Sequence, residues 1–152
     1  MRRWGRYVPI TLGLLGAACS TPLEPQDDLA IAQRRWQAAA IADYSFTFQR
    51  SCFCLHTATR AVTVTVHQRA WATLMYEDDG TAADTSLFRD FLTMERVFSF
   101  LRGSLEEDPA TFEARYDAQL GYPAEVSIDY LANAIDDELS LWIAGFRITG
   151  GP

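Results

Sequence analysis

Three cysteines and one dense run of carboxylates are the groups in this 152-residue chain whose types and spacing could do chemistry. Cys19 follows Gly16-Ala17-Ala18, small residues of the kind a signal peptidase accepts. Arg2, Arg3 and Arg6 make a positive start, and Tyr7 to Leu15 is an apolar stretch too short to span a bilayer. This pattern predicts an exported precursor with a signal peptide over residues 1–18, cleaved before Cys19, whose thiol then takes a lipid. Cys52 and Cys54 would then be the remaining thiols. In a regular strand such a pair lies on one face with Cα atoms about 6.6 Å apart. Disulfides prefer about 5.5–6 Å, so a bond needs a break in the strand at Phe53. Three outcomes stay open for the pair: a disulfide, two buried thiols, or a redox or metal site. An oxidising compartment favours the first.

The second feature is the carboxylate run. Asp129, Asp136, Asp137 and Glu138 fall around one loop, dense enough in hard oxygen ligands to hold Ca²⁺, although not at EF-hand spacing. The bland alternative is a solvated acidic turn. A soft-metal site on the cysteines would need more ligands, and His56 and His67 are the only histidines. No GxSxG, HExxH, P-loop or GxGxxG is present, so no catalytic residue and no cofactor is assigned.

The elements that must position these groups follow from periodicity. Thr21 to Asp28, with two prolines and three acids, reads as a tether, so residues 19–28 form a lipidated leader and 29–152 a single domain. Leu29, Ala32, Trp36, Ala39 and Ala40 recur at helical spacing, predicting a helix from Leu29 to about Ala42. Tyr44, Phe46 and Phe48 then alternate with Ser45, Thr47 and Gln49 as a strand, whose parity would also put Cys52 and Cys54 on the core side. Arg60 to His67 and Trp71 to Glu77 make the next two strands, joined by Gln68-Arg69-Ala70, which lacks the usual Gly or Asn. Thr93 caps a second helix with Met94, Val97, Phe98, Leu101 and Leu105 on one face. Three further strands follow: one around Phe112 to Tyr116, one around Val126 to Tyr130, and Leu139 to Ile148. The last is apolar on both parities and therefore central or covered on both faces. The expected fold is α+β: a mainly antiparallel sheet of about six strands, two helices on one face, read as two αβββ halves.

Two resemblances add to this. The Gly16-Ala17-Ala18-Cys19 junction resembles the lipobox of bacterial lipoproteins, with Gly16 where Leu is usual. Trp36, Asp43-Tyr44-Ser45-Phe46, Cys52-Phe53-Cys54, Tyr116-Asp117, Leu120-Gly121-Tyr122-Pro123, Ile128-Asp129 and Asp136-Asp137-Glu138 resemble the pattern of a bacterial family, domain of unknown function 6174, over roughly Leu29 to Ile148. That resemblance implies export and often lipidation, and no known activity.

Charge narrows the partners. After the predicted cleavage ten arginines stand against twenty acids, with no lysine, which argues against nucleic acid and against anionic lipid surfaces. The expectation is an envelope lipoprotein facing the periplasm. It is held in the membrane by the lipid at Cys19, the outer membrane where there are two, and binds a protein or cell-wall partner without catalysis. The alternatives are a metal- or thiol-based module on Cys52/Cys54 or the acidic loop, and a hydrolase with an unrecognised site.

Overall fold

A computed structural model describes residues 24–134 and 136–150. The predicted signal peptide (residues 1–18), Cys19 and the tether up to residue 23 lie outside them. The chain runs α1 (Pro25–Ala39), β1 (Tyr44–Ser51), α2 (His56–Thr59), β2 (Val62–His67), β3 (Ala70–Tyr76), a 3-10 segment (Thr85–Phe91), α3 (Met94–Glu106), β4 (Thr111–Tyr116), β5 (Pro123–Asp129) and β6 (Glu138–Ile148). All six strands form one open antiparallel sheet in the order β3-β2-β1-β6-β5-β4, an α+β architecture. The helical inventory is larger than the two expected helices: α2 is a single short turn, and the 3-10 segment is two short pieces joined at a kink at Phe88.

Alternation decides the sheet's buried face. Tyr44, Phe46 and Phe48 of β1, Val62, Val64 and Val66 of β2, Leu74 and Tyr76 of β3, Val126 and Ile128 of β5, and Leu141 and Ile143 of β6 are buried together. Leu29, Ala32 and Trp36 of α1 join the same core, as do Val97, Phe98, Leu101 and Leu105 of α3. One side chain shows how the layers meet. The Tyr44 ring lies edge-on to Trp36 of α1 at 5.2 Å, and its hydroxyl accepts from the Met94 backbone N–H of α3 at 2.9 Å.

That shared face bears on the two αβββ halves. Each half does contribute its own three-strand meander. Laying β1-β2-β3 on β4-β5-β6 in this order, however, requires reversing the strands about an in-plane axis, which turns the sheet over. True copies would carry their helices on opposite faces, yet both helices meet Tyr44. The halves share an order of elements without being structural copies.

Three local outcomes correct or sharpen the expectations. Helix α1 begins at Pro25, inside the predicted tether, because proline is preorganised for the first helical position; Asp27 and Asp28 then sit in the first turn, where they favour the helix dipole. It ends at Ala39, with Ala40 in the left-handed region. Strand β6 is central but not covered on both faces. A bulge opposite Ser45 to Thr47, with Gly145 at φ 58°, shifts its parity, so that Leu141 and Ile143 before it and Phe146 after it all reach the core, while Trp142 faces out. The β2–β3 hairpin closes with Gln68 and Arg69 at φ 50° and 64°, a left-handed pair usually written Asn-Gly. Asp43 supports it: its carboxylate accepts from the Gln68 backbone N–H at 3.0 Å, while Arg69 N–H donates to the Ala42 carbonyl at 2.8 Å.

Candidate functional site

The register brings together two features far apart in sequence. Ser51 at the end of β1 pairs with Ser140 of β6, and Asp129 at the end of β5 pairs with Glu138. The Cys52-Phe53-Cys54 turn and the acidic loop therefore stand at the same end of the sheet, with the ends of β1 and β5 about 10 Å apart across two strand spacings.

At this end the structure joins Cys52 and Cys54 in a disulfide. Strand β1 stops at Ser51, and the Cys54 backbone N–H donates to the Cys52 carbonyl at 2.9 Å, a tight turn that brings the Cα atoms to 5.3 Å. The expected break at Phe53 is present. The expected core placement of the cysteines is not: Cys52 is half-buried and Cys54 exposed, because the strand parity that aims Phe48 inward ends before they are reached. Between and after them Phe53 is 81% exposed and Leu55 67%, and Leu131 on the β5–β6 loop is 64% exposed. Each is large and apolar, and they are the three most water-exposed large hydrophobic side chains among the described residues.

The rigidity of this tip comes from the residue before it. Arg50 continues the core-facing parity of β1, and its guanidinium lies 5.5 Å from both the Phe88 and Phe91 rings. It donates to the Ala58 carbonyl at 3.0 Å and the Leu87 carbonyl at 2.7 Å, tying β1, α2 and the 3-10 segment together. Desolvation lowers its pKa from the ordinary arginine value, with Asp90 opposing. Arg60 stacks on Tyr76 with its guanidinium 3.7 Å from the ring centre and pairs with Asp78 and Asp79. Hydrogen bonds from Thr81 and then from Arg60 hold the Asp79 carboxyl down to about 2. Sequence reasoning singled out neither arginine. An Arg continuing an aromatic strand face is the pattern that could have marked Arg50.

The acidic residues do not converge. Asp129 spends one oxygen on the Leu131 backbone N–H at 3.2 Å, as an ordinary turn carboxylate does. Asp136 adopts φ 83°, and the carboxylate oxygens of Asp137 are buried without a hydrogen-bond partner among the described residues. Among those residues no group of three or more His, Cys, Asp or Glu side chains is placed to hold a metal ion. The histidines are separated: His67 pairs with Asp43 at the opposite end of the sheet, while His56 lines an open groove of about 720 Å³ with Gln49, Arg60, Asp78 and Trp142. No hydroxyl or thiol is hydrogen-bonded to either imidazole among the described residues.

The other residues of the sequence pattern are architectural. Trp36 Nε1–H donates to Glu95 at 3.1 Å, and Glu95 also receives the Tyr44 hydroxyl. Burial pushes the Tyr44 hydroxyl well above its ordinary pKa. Asp117 accepts from the Gln119 and Leu120 backbone N–H groups at 3.0 and 2.7 Å, closing the β4–β5 turn. Gly121, at φ 81°, lets that turn approach the Ala32 carbonyl of α1, where a Cβ would collide. No helix among the described residues is long and apolar enough to cross a membrane.

No curated protein and no solved structure matches the chain. One family model does, over residues 28–148, from the first turn of α1 to the last residue of β6. It covers every strand of the sheet, the disulfide turn and the acidic loop, and the chain thus belongs to DUF6174, a family of unknown function.

Proposed function

We propose that this is a lipid-anchored protein of the bacterial cell envelope that binds a partner without catalysis, through the end of the sheet carrying the disulfide turn. The observation that carries the reading is the exposure of Phe53, Leu55 and Leu131 at that one end. Exposed apolar side chains cost solubility and are retained where something covers them. A turn held by the disulfide and by Arg50 presents Phe53 with little conformational freedom left to lose on binding, which favours affinity. The open groove beside it offers Trp142 and Gln49 as further contacts, either to a protein or to a cell-wall glycan. The anchor is the lipid at Cys19, and with Ser20 following it the outer membrane is the destination in a two-membrane cell. Helix α1 starts six residues after Cys19, so the domain sits within about 20 Å of the lipid even with that link fully extended.

The test is site-specific crosslinking in the native envelope. A photoactivatable phenylalanine analogue at position 53 should give one discrete adduct, and the same analogue at the exposed edge-strand position Thr73 none. Adducts at position 73 and none at 53 would move the contact to the sheet edge and end this reading. In the same cells Cys19→Ala should remove fatty-acid labelling and release the protein from membranes; an unlabelled wild type would end the anchor.

A further inference from the structure

We propose that the Cys52–Cys54 bond is a thiol–disulfide exchange centre, reacting with cysteine thiols of other exported polypeptides. The inference goes beyond the binding role and does not need it, since exchange with a small thiol involves no partner.

A disulfide that serves the fold spans a long stretch of chain or is buried in the core. This one encloses a single residue, Phe53, and lies outside the hydrophobic core. Its loop is so short that its chain-entropy contribution to stability is small. The strand end before it is already fixed without it: Ser51 pairs with Ser140, and Arg50 binds the Ala58 and Leu87 carbonyls. Opening the bond therefore removes no link between distant parts of the sheet. Cys54 is exposed, so an incoming thiolate can reach it, whereas Cys52 is half-buried against the strand end. Exposed disulfides with little structural duty are the exchangeable class.

The chemistry balances with a substrate dithiol. One substrate thiolate attacks Cys54 Sγ, the Cys52–Cys54 bond breaks, and Cys52 leaves as the thiolate. A second substrate thiolate attacks the substrate sulfur of the mixed disulfide and expels Cys54. The substrate loses two electrons and two protons and gains a disulfide; the protein is left with two thiols. A more oxidising disulfide of the envelope restores the bond by the reverse exchange. Because the Cα atoms stand 5.3 Å apart on a fixed turn, the freed Cys52 stays beside the mixed disulfide and can also resolve it backwards. Phe53 and Leu55 flank the sulfurs, 81% and 67% exposed, and supply apolar contact for an unfolded chain bearing the cysteines.

The experiment uses the full lipoprotein extracted in detergent. It is equilibrated in glutathione buffers of graded composition, and residues 52 and 54 are read peptide by peptide after alkylation. The bond should be half-reduced at a buffer at least about 100-fold less reducing than one that opens the long-range disulfides of a secreted reference protein. Circular dichroism should show the domain still folded at that point. In single-cysteine variants Cys54 (C52S) should form the mixed disulfide with oxidised glutathione faster than Cys52 (C54S). F53S/L55S should slow oxidation of a reduced, unfolded polypeptide by a much larger factor than it slows exchange with glutathione. A bond that opens only with the reference, or whose opening unfolds the domain, overturns the exchange centre. Equal slowing of both reactions by F53S/L55S overturns the polypeptide substrate.

Discussion

The two ends of the sheet are built on opposite plans. At the end where β1 begins, polar groups link the strand to its neighbours: Glu95 takes the Trp36 indole and the Tyr44 hydroxyl, Tyr44 takes the Met94 amide, and Asp43 holds the Gln68 amide and His67. Aromatic rings fill the space between, with Phe146 stacked on Tyr44 and on Tyr122 at 5.5 and 4.8 Å. At the end where β1 stops, Phe53, Leu55 and Leu131 are each at least 64% exposed, more than Ile148 and Trp71 at the first end, and carboxylates line the neighbouring loop. The first end closes the fold on itself and the second leaves it open. Hydrogen bonds and packed rings between layers tie the first end together; an exposed apolar tip adds little to the free monomer. The difference is what the proposed contact at the second end rests on. It also divides the residues of the sequence pattern: Trp36, Asp43, Tyr44 and Gly121 belong to the first, Cys52, Phe53 and Cys54 to the second.

The sharpest way to break this comparison is at Trp36, which is 3% exposed and contacts Tyr44, Phe146 and Glu95. Trp36→Ala should cost about 3–5 kcal/mol in urea unfolding, from lost burial, the cavity left behind and a Glu95 carboxylate stripped of its donor. A loss under about 1 kcal/mol would mean that α1 does not secure the closed end.

A smaller loss is expected at Asp43. Its carboxylate holds the Gln68 amide in a hairpin whose two turn residues both sit at positive φ without glycine or asparagine. Asp43→Ala should cost about 1–2 kcal/mol. Adding Gln68→Asn and Arg69→Gly should recover part of it, since those residues accept the left-handed conformation more readily. Hydrogen exchange at the β2–β3 turn is the readout. Unchanged protection in Asp43→Ala would show that the hairpin holds itself.

Much of this architecture was legible in the sequence, and the misses share a cause. Alternation in Tyr44 to Gln49 and Val62 to His67 located β1 and β2, because a sheet wet on one face writes its burial into every second residue. Thr93 marked the start of α3, where its hydroxyl accepts from the Arg96 amide at 3.3 Å. In β6 the bulge at Gly145 reset the parity partway, so a one-sided strand looked two-sided. The cysteines went to the wrong environment by the same logic extended too far, since parity holds only while the strand lasts and β1 ends at Ser51. The meeting of the disulfide turn with the acidic loop was not legible at all. It depends on β1 pairing with β6, a contact between the two halves that no local pattern encodes.

The smallest expected effect is the most discriminating. If the β1 terminus is a contact surface and not part of the core, removing its apolar side chains should leave the free domain's stability unchanged. Phe53 touches water over most of its surface and Leu55 over two thirds, so their burial contributes little to folding. Phe53→Ser and Leu55→Ser, singly and together, should move the urea midpoint by no more than about 0.5 kcal/mol in equivalent free energy. The double variant should stay more soluble at high concentration, because the removed groups are those that would self-associate. In the envelope the same variant should lose the partner crosslink, read from a photoactivatable group placed at neighbouring His56. A stability loss near that of Trp36→Ala would show that the tip folds back onto the domain, and the contrast between the two ends would fail. Full stability with the crosslink undiminished would keep the contrast but take the contact away from Phe53 and Leu55 and give it to the groove around Trp142.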